Sequence, residues 1–264
     1  MLALDTMPKG ILKQVSINAV NSQPSCTAAK PGWTTADYMS KQPDINGEMR
    51  KILLDWLLQV SYKFKLCVRT FHLAVGLIDS FLSKTKIARK GMQLVGVTAL
   101  NLAVKYQEEV ASPITDYVFI CDKAYTAEEV LGMEKLILPD LSGPFDKHGA
   151  SDFEAVRKAV RDLELPTSQL ASMYIKKTSD SASCDYFVAL ALIEYDIAVK
   201  YSPQQIANAA INMTNLNKNG AAKYVLSDTS PSTLEETMRA AGRKLDYEKF
   251  KGLKMALKRA GYSA

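Results

Sequence analysis

From Asn46 onward, apolar residues return every third and fourth position and almost nowhere alternate with polar ones, so the chain reads as helical with strands improbable. Met49, Ile52, Leu53, Trp56, Leu57 and Val60 fall at i, i+3, i+4, i+7, i+8 and i+11, one stripe of an amphipathic helix, and Leu54 and Leu58 add a second face. A further helix is predicted from about Thr70 to Leu82, with Phe71, Ala74, Val75, Ile78 and Leu82 in phase. The stretch from Leu94 to Glu109 is apolar or small on nearly every side until Lys105 interrupts it, a pattern a helix tolerates only when surrounded. Gly96, Thr98, Ala99 and Ala103 keep it thin, so neighbouring helices can approach closely. This segment is expected to be the hub.

Capping chemistry places the boundaries. Ser112 and Pro113 suit the N-cap and first position of a helix. Thr126 and Glu129 form a capping box with Tyr125 placed to staple onto Val130, and that helix should end near Leu138, before Pro139 and the Gly143-Pro144 pair. Helical starts resume at Ser151 with Glu154, at Ser202 with Pro203 and Gln205, and at Ser232, where the last run ends at Gly242, suited to a left-handed C-terminal position. Residues 1–37 mix Pro, Gly, Ser, Thr and Asn without a sustained period and have the composition of a tail; residues 143–150 read as a linker. Two helical halves result, residues 38–142 and 151–264. "VGLIDSFL" (75–82) and "LALIEYDI" (190–197) echo each other, as duplication of one bundle would produce.

Composition narrows the function. At 264 residues, 47% hydrophobic and 23% charged, the chain has the balance of a soluble globular protein, and no apolar run approaches the ~20 residues of a membrane span. No leader pattern stands at the start, so the expected setting is cytosolic or nuclear. Cys26, Cys67, Cys121 and Cys184 are widely separated with no CxxC pair, which indicates reduced thiols and neither a zinc site nor a disulfide framework. No glycine-rich phosphate cradle is present, and the two histidines, His72 and His148, lie in no ligand or triad spacing. His72, beside the apolar face of its helix, reads as a satisfied structural residue. No catalytic residue, metal or cofactor is expected.

Five blocks in order, "YMSKQPDI" (38–45), "MRKILLDWLLQV" (49–60), "FHLAVGLIDSFL" (71–82), "MQLVGVTALNLAVKYQEE" (92–109) and "YTAEEVLGMEKLIL" (125–138), resemble the cyclin box of the A and B type mitotic cyclins. The second half resembles it only in outline. The resemblance implies an all-α fold of two tandem five-helix bundles. It also implies a protein without chemistry of its own, acting in nucleus and cytoplasm, that binds and activates a cyclin-dependent Ser/Thr kinase as a heterodimer.

The resemblance also assigns residues. Lys105 and Glu134 match the lysine and glutamate with which cyclins grip the kinase, with Leu102, Tyr106 and Leu138 as surrounding apolar contacts exposed in the free protein. On that reading a Lys105→Glu reversal breaks partner binding and spares the fold. Read alone, the same two residues are solvated charges or a structural ion pair. Met49, Ile52, Leu53 and Trp56, rimmed by Arg89, Met92 and Gln93, match the patch that holds basic-x-Leu motifs of substrates and inhibitors. Read alone, that stripe is core. Gln59 stands where cyclin A type proteins carry a glutamate facing the motif's basic residue, which weakens the expected preference for Arg or Lys.

Arg50 and Asp79 also match fixed points of the cyclin box; each breaks an apolar stripe, and burying either alone would cost several kcal/mol, so they are assigned to a structural ion pair. The rival class is a nucleic-acid adaptor of the TFIIB type, favoured only by the basic stretch "GRKLDYEKFKGLKMALKRAG" (242–261). That stretch reads more simply as a solvated amphipathic helix, and neither nucleic acid nor membrane is an expected partner.

Overall fold

A computed structural model describes residues 37–110, 112–138, 153–163, 165, 167–175, 180–218 and 233–262. The sequence-predicted tail (apart from Asp37), the linker, Cys26, His148 and the starts at Ser151 and Ser232 lie outside the described residues. Among the described residues every regular element is a helix. The first half holds α1 (Gly47–Lys63), α2 (Val68–Lys84), α3 (Met92–Gln107), α4 (Ile114–Ile120) and α5 (Ala127–Ile137). The second holds α6 (Phe153–Asp162), α7 (Thr167–Tyr174), α8 (Ser181–Ile193), α9 (Tyr195–Lys200), α10 (Pro203–Lys218), α11 (Thr233–Lys244) and α12 (Lys251–Arg259).

The local signals act as the sequence suggests. Asn46 accepts the Met49 N–H at 3.0 Å and opens α1, and Thr126 and Glu129 form the reciprocal capping box of α5. Ser202 and Gln205 bond reciprocally at the start of α10, with Pro203 as its first residue. Two boundaries differ. Pro113, not Ser112, occupies the N-cap of α4, and α11 runs past Gly242, which lies inside the helix against the Tyr186 and Tyr247 hydroxyls.

Helix α3 is the hub: α1, α2, α4, α5 and α6 all pack on it, and it is buried from Met92 through Lys105. Its thinness is literal. A β-carbon at Gly96 would lie 2.7 Å from a Leu53 methyl, so a side chain there would displace the Leu53 side chain packed on it.

The two halves meet where α2 packs on α7, α3 on α6 and α1 on α12, and three residues of α1 pair across the boundary. Arg50 is wholly buried and forks onto Asp79 of α2, with Nε and Nη2 at 2.8 and 2.7 Å from the two carboxylate oxygens. Its Nη1 donates to the Leu192 and Ile193 carbonyls at the end of α8. Burial opposes the guanidinium charge, but the Asp79 carboxylate more than offsets it and raises the Arg50 pKa. Lys51 pairs with Glu194 at 2.5 Å. The echoed segments thus each supply one acid, Asp79 and Glu194, to neighbouring cations of α1.

Asp55 makes the third link. Its carboxylate accepts the N–H groups of Gly252 and Leu253 at 3.0 and 2.8 Å, serving as a remote cap for α12, whose own N-cap residue, Phe250, supplies no side-chain acceptor. The fit demands glycine: a β-carbon at Gly252 would stand 2.3 Å from the Asp55 carbonyl oxygen. Tyr38 completes the junction by donating its hydroxyl to Asp79 at 2.6 Å, while the Met39 N–H donates to Tyr195.

Candidate functional site

Lys105 lies in the last turn of α3 and Glu134 in α5, and their side chains meet at 2.6 Å. Asn101, one turn before Lys105, donates its amide to the same Glu134 oxygen at 2.5 Å. The sequence fixes this geometry: Asn101 and Lys105 are i and i+4 on one helical face, and the Thr126 box sets the start of the helix that presents Glu134.

The environment departs from the sequence expectation. Lys105 is only 6% exposed and Glu134 is 0% exposed, so the pair is a buried, doubly hydrogen-bonded ion pair and not two charges standing in water. Leu102 and Leu138 are buried too, and Tyr106 is half-buried. The reason is the hub: α4 and α5 close over the C-terminal part of α3 and take its apolar neighbours into the core.

Two large apolar side chains of the first bundle that the sequence did not single out are exposed. Phe119 of α4 is 68% exposed and Leu136 of α5 is 39% exposed. Helical phase accounts for them once the helix bounds are known. In α4 the inward face carries Ile114, Tyr117 and Cys121, leaving Phe119 off the stripe; in α5 it carries Val130, Met133, Glu134 and Ile137, leaving Leu136 off it.

The second predicted site lies along α1. Leu53, Trp56, Met92 and Gln93 are buried, Met49, Ile52 and Gln59 are half-buried, and Arg89 is exposed. The stripe therefore serves the core with its inner edge and leaves a shallow apolar strip along its outer edge. Gln59 is engaged: its amide donates to Asp55 at 3.0 Å, steadying the carboxylate that caps α12.

His72 is structural but not satisfied. It is fully buried among aromatic rings, with Phe71 and Tyr174 centroids each 6.3 Å away, and neither ring nitrogen meets a hydrogen-bond partner. Burial pushes its pKa down to about 3. The described cysteines, Cys67, Cys121 and Cys184, are free thiols, and no group of metal-binding side chains occurs among the described residues.

An all-helical chain with a central apolar helix, an α3 to α5 ion pair and an arginine-aspartate lock between its first two helices has the architecture of a cyclin box. Residues 29–143 match the family model "Cyclin, N-terminal domain", which marks that stretch as a cyclin box. The chain's relatives are mitotic cyclins. It is 40% identical over 176 residues to Cyclin-B2-1 of Oryza sativa subsp. japonica, covering 66% of this chain and 38% of that one. It is 40% identical over 167 residues to the G2/mitotic-specific cyclin-B2 of Homo sapiens (63% and 38%), and 38% identical over 180 residues to the G2/mitotic-specific cyclin-A of Hydra viridissima (68% and 40%). The chain thus spans about four tenths of the length of these curated relatives. Among solved structures, a viral cyclin from herpesvirus saimiri has the same fold, with a TM-score of 0.53 at 19% identity over 86% of this chain and 92% of the other.

Proposed function

We propose that this chain is a regulatory subunit that binds and activates a cyclin-dependent Ser/Thr protein kinase in cell-cycle control, with no catalysis of its own. The observation that carries the reading is the convergence of Lys105 and Glu134, from two helices of the first bundle, on one another. A kinase of this class is inactive while its αC glutamate stands away from the β3 lysine. A rigid helical surface that fits only the active arrangement shifts that equilibrium about tenfold for each 1.4 kcal/mol of differential affinity.

The buried pair changes the division of labour. Lys105 spends one of its three N–H donors on Glu134 and keeps a sliver of exposure, so it can turn a remaining donor to a partner carbonyl without leaving the carboxylate. Leu102 and Leu138 are buried, and the exposed Phe119 of α4 and Leu136 of α5 are apolar side chains of the same bundle open to a partner. The outer edge of α1 is a separate docking strip for short hydrophobic motifs of substrates or inhibitors. The test is to mix the purified chain with cyclin-dependent kinases and measure phosphate transfer to a peptide: stimulation by this chain is expected, and no stimulation of any of them overturns the reading.

A further inference from the structure

Asn101 interrupts the apolar run of α3 and is buried in the hub, where a side-chain amide must find a partner or destabilise the fold. It finds Glu134. The Asn101 Nδ2 and the Lys105 Nζ donate to the same carboxylate oxygen, Oε1, at 2.5 and 2.6 Å. A carboxylate only accepts, so the amide has to present its NH2 end to α5. One buried oxygen is thus held by two donors of different kinds, a neutral amide and an ammonium.

The two donors differ in what else they can reach. Asn101 lies one turn before Lys105 on a short stem, sealed inside the bundle. Lys105 stands in the last turn of α3 on a flexible four-carbon stem, with three N–H groups and a margin of exposure. With a hydrocarbon at position 101, Oε1 would lose its amide donor, and the ammonium already in contact would turn a second N–H inward to serve the buried charge. With the amide in place, that demand is met from inside the bundle.

We propose that Asn101 is the positioning residue of this site: by filling one place on Oε1 of Glu134, it spares the remaining N–H groups of Lys105 to point outward, to backbone carbonyls of a bound kinase. Asn101 is buried and acts through the lysine without touching the partner. The identity of the partner rests on the kinase-binding reading above; the hold on Lys105 rests on the α3–α5 geometry alone.

The variant Asn101→Leu keeps the branched shape and removes the donor, and Asn101→Ala, which is smaller, repeats the measurement if the leucine does not pack. In the free chain, acylation of Lys105 by an amine-reactive ester, followed by mass spectrometry under native conditions, is expected to slow several-fold in the folded variant. A merely structural loss acts in the opposite sense, because a loosened fold exposes the amine and speeds the reaction. Affinity for a purified cyclin-dependent kinase is expected to fall about tenfold, as for a lost hydrogen bond to a charged group. Acylation that is unchanged or faster overturns the proposal. Slowed acylation with unchanged kinase affinity overturns the part of it that concerns the partner. Slowed acylation with no kinase binding even by the wild type removes the kinase reading and upholds the hold of Asn101 on Lys105.

Discussion

Lys105 and Glu134 close on each other at 2.6 Å with the lysine almost wholly and the glutamate wholly withdrawn from water. Partner binding and folding therefore draw on the same two groups. The Lys105→Glu reversal that sequence reasoning offers as a clean binding mutant would face Glu134 with a second carboxylate in the core. Removing one member of such a pair costs about 3–5 kcal/mol, so Lys105→Glu is expected to melt far below the wild type in thermal unfolding. Lys105→Met/Glu134→Met, which removes both charges, should lose much less than either single change.

The junction between the halves gives a second expectation. Asp55→Ala strips two N–H groups of α12 of their acceptor, a capping loss of about 1–2 kcal/mol. Hydrogen exchange should speed up in residues 251–259 and stay near wild type in α3. Gly252→Ala should act in the same place, because its methyl would collide with the Asp55 backbone. Unchanged exchange in α12 for both variants would mean that the cap does not hold the helix.

His72 gives the chain an acid-sensitive contribution. Its pKa in the fold, about 3, lies below the ordinary 6.5, so below pH 6.5 the unfolded chain takes up a proton that the folded chain refuses. Stability contributed by the neutral ring is complete above pH 6.5 and is lost as pH falls toward 3. Between pH 7.5 and 5.5 the loss should be about 1.4 kcal/mol. Denaturant midpoints for wild type and His72→Leu over that range should converge or cross as pH falls, and parallel curves would assign the acid response elsewhere.

Where information was local, the sequence was readable. The Thr126–Glu129 box needs only three residues of spacing, and the surrounded character of α3 follows from apolar residues on all its faces. Arg50 and Asp79 were legible as partners because each is too costly to bury alone. The failures are of longer range. Nothing local says that Asp55 caps a helix 197 residues away, since an aspartate in an apolar stripe looks the same whatever backbone meets it. Burial of Lys105 depends on how α4 and α5 close over α3, and exposure of Phe119 depends on the phase of a seven-residue helix too short to show a period. Gly242 failed as a stop signal because tertiary packing against Tyr186 and Tyr247 carries α11 two residues past it.

Phe119 and Leu136 separate binding from folding, because both are exposed and replacing them should change stability by no more than about 0.5 kcal/mol. The decisive measurement is kinase stimulation by wild type and by Phe119→Asp/Leu136→Glu at matched concentrations, with melting temperature as the control. The expected result is strong stimulation by the wild type, and loss of both stimulation and co-purification in the double variant at an unchanged melting temperature. Full stimulation by the folded double variant would contradict the placement of the kinase on the exposed apolar side chains of α4 and α5.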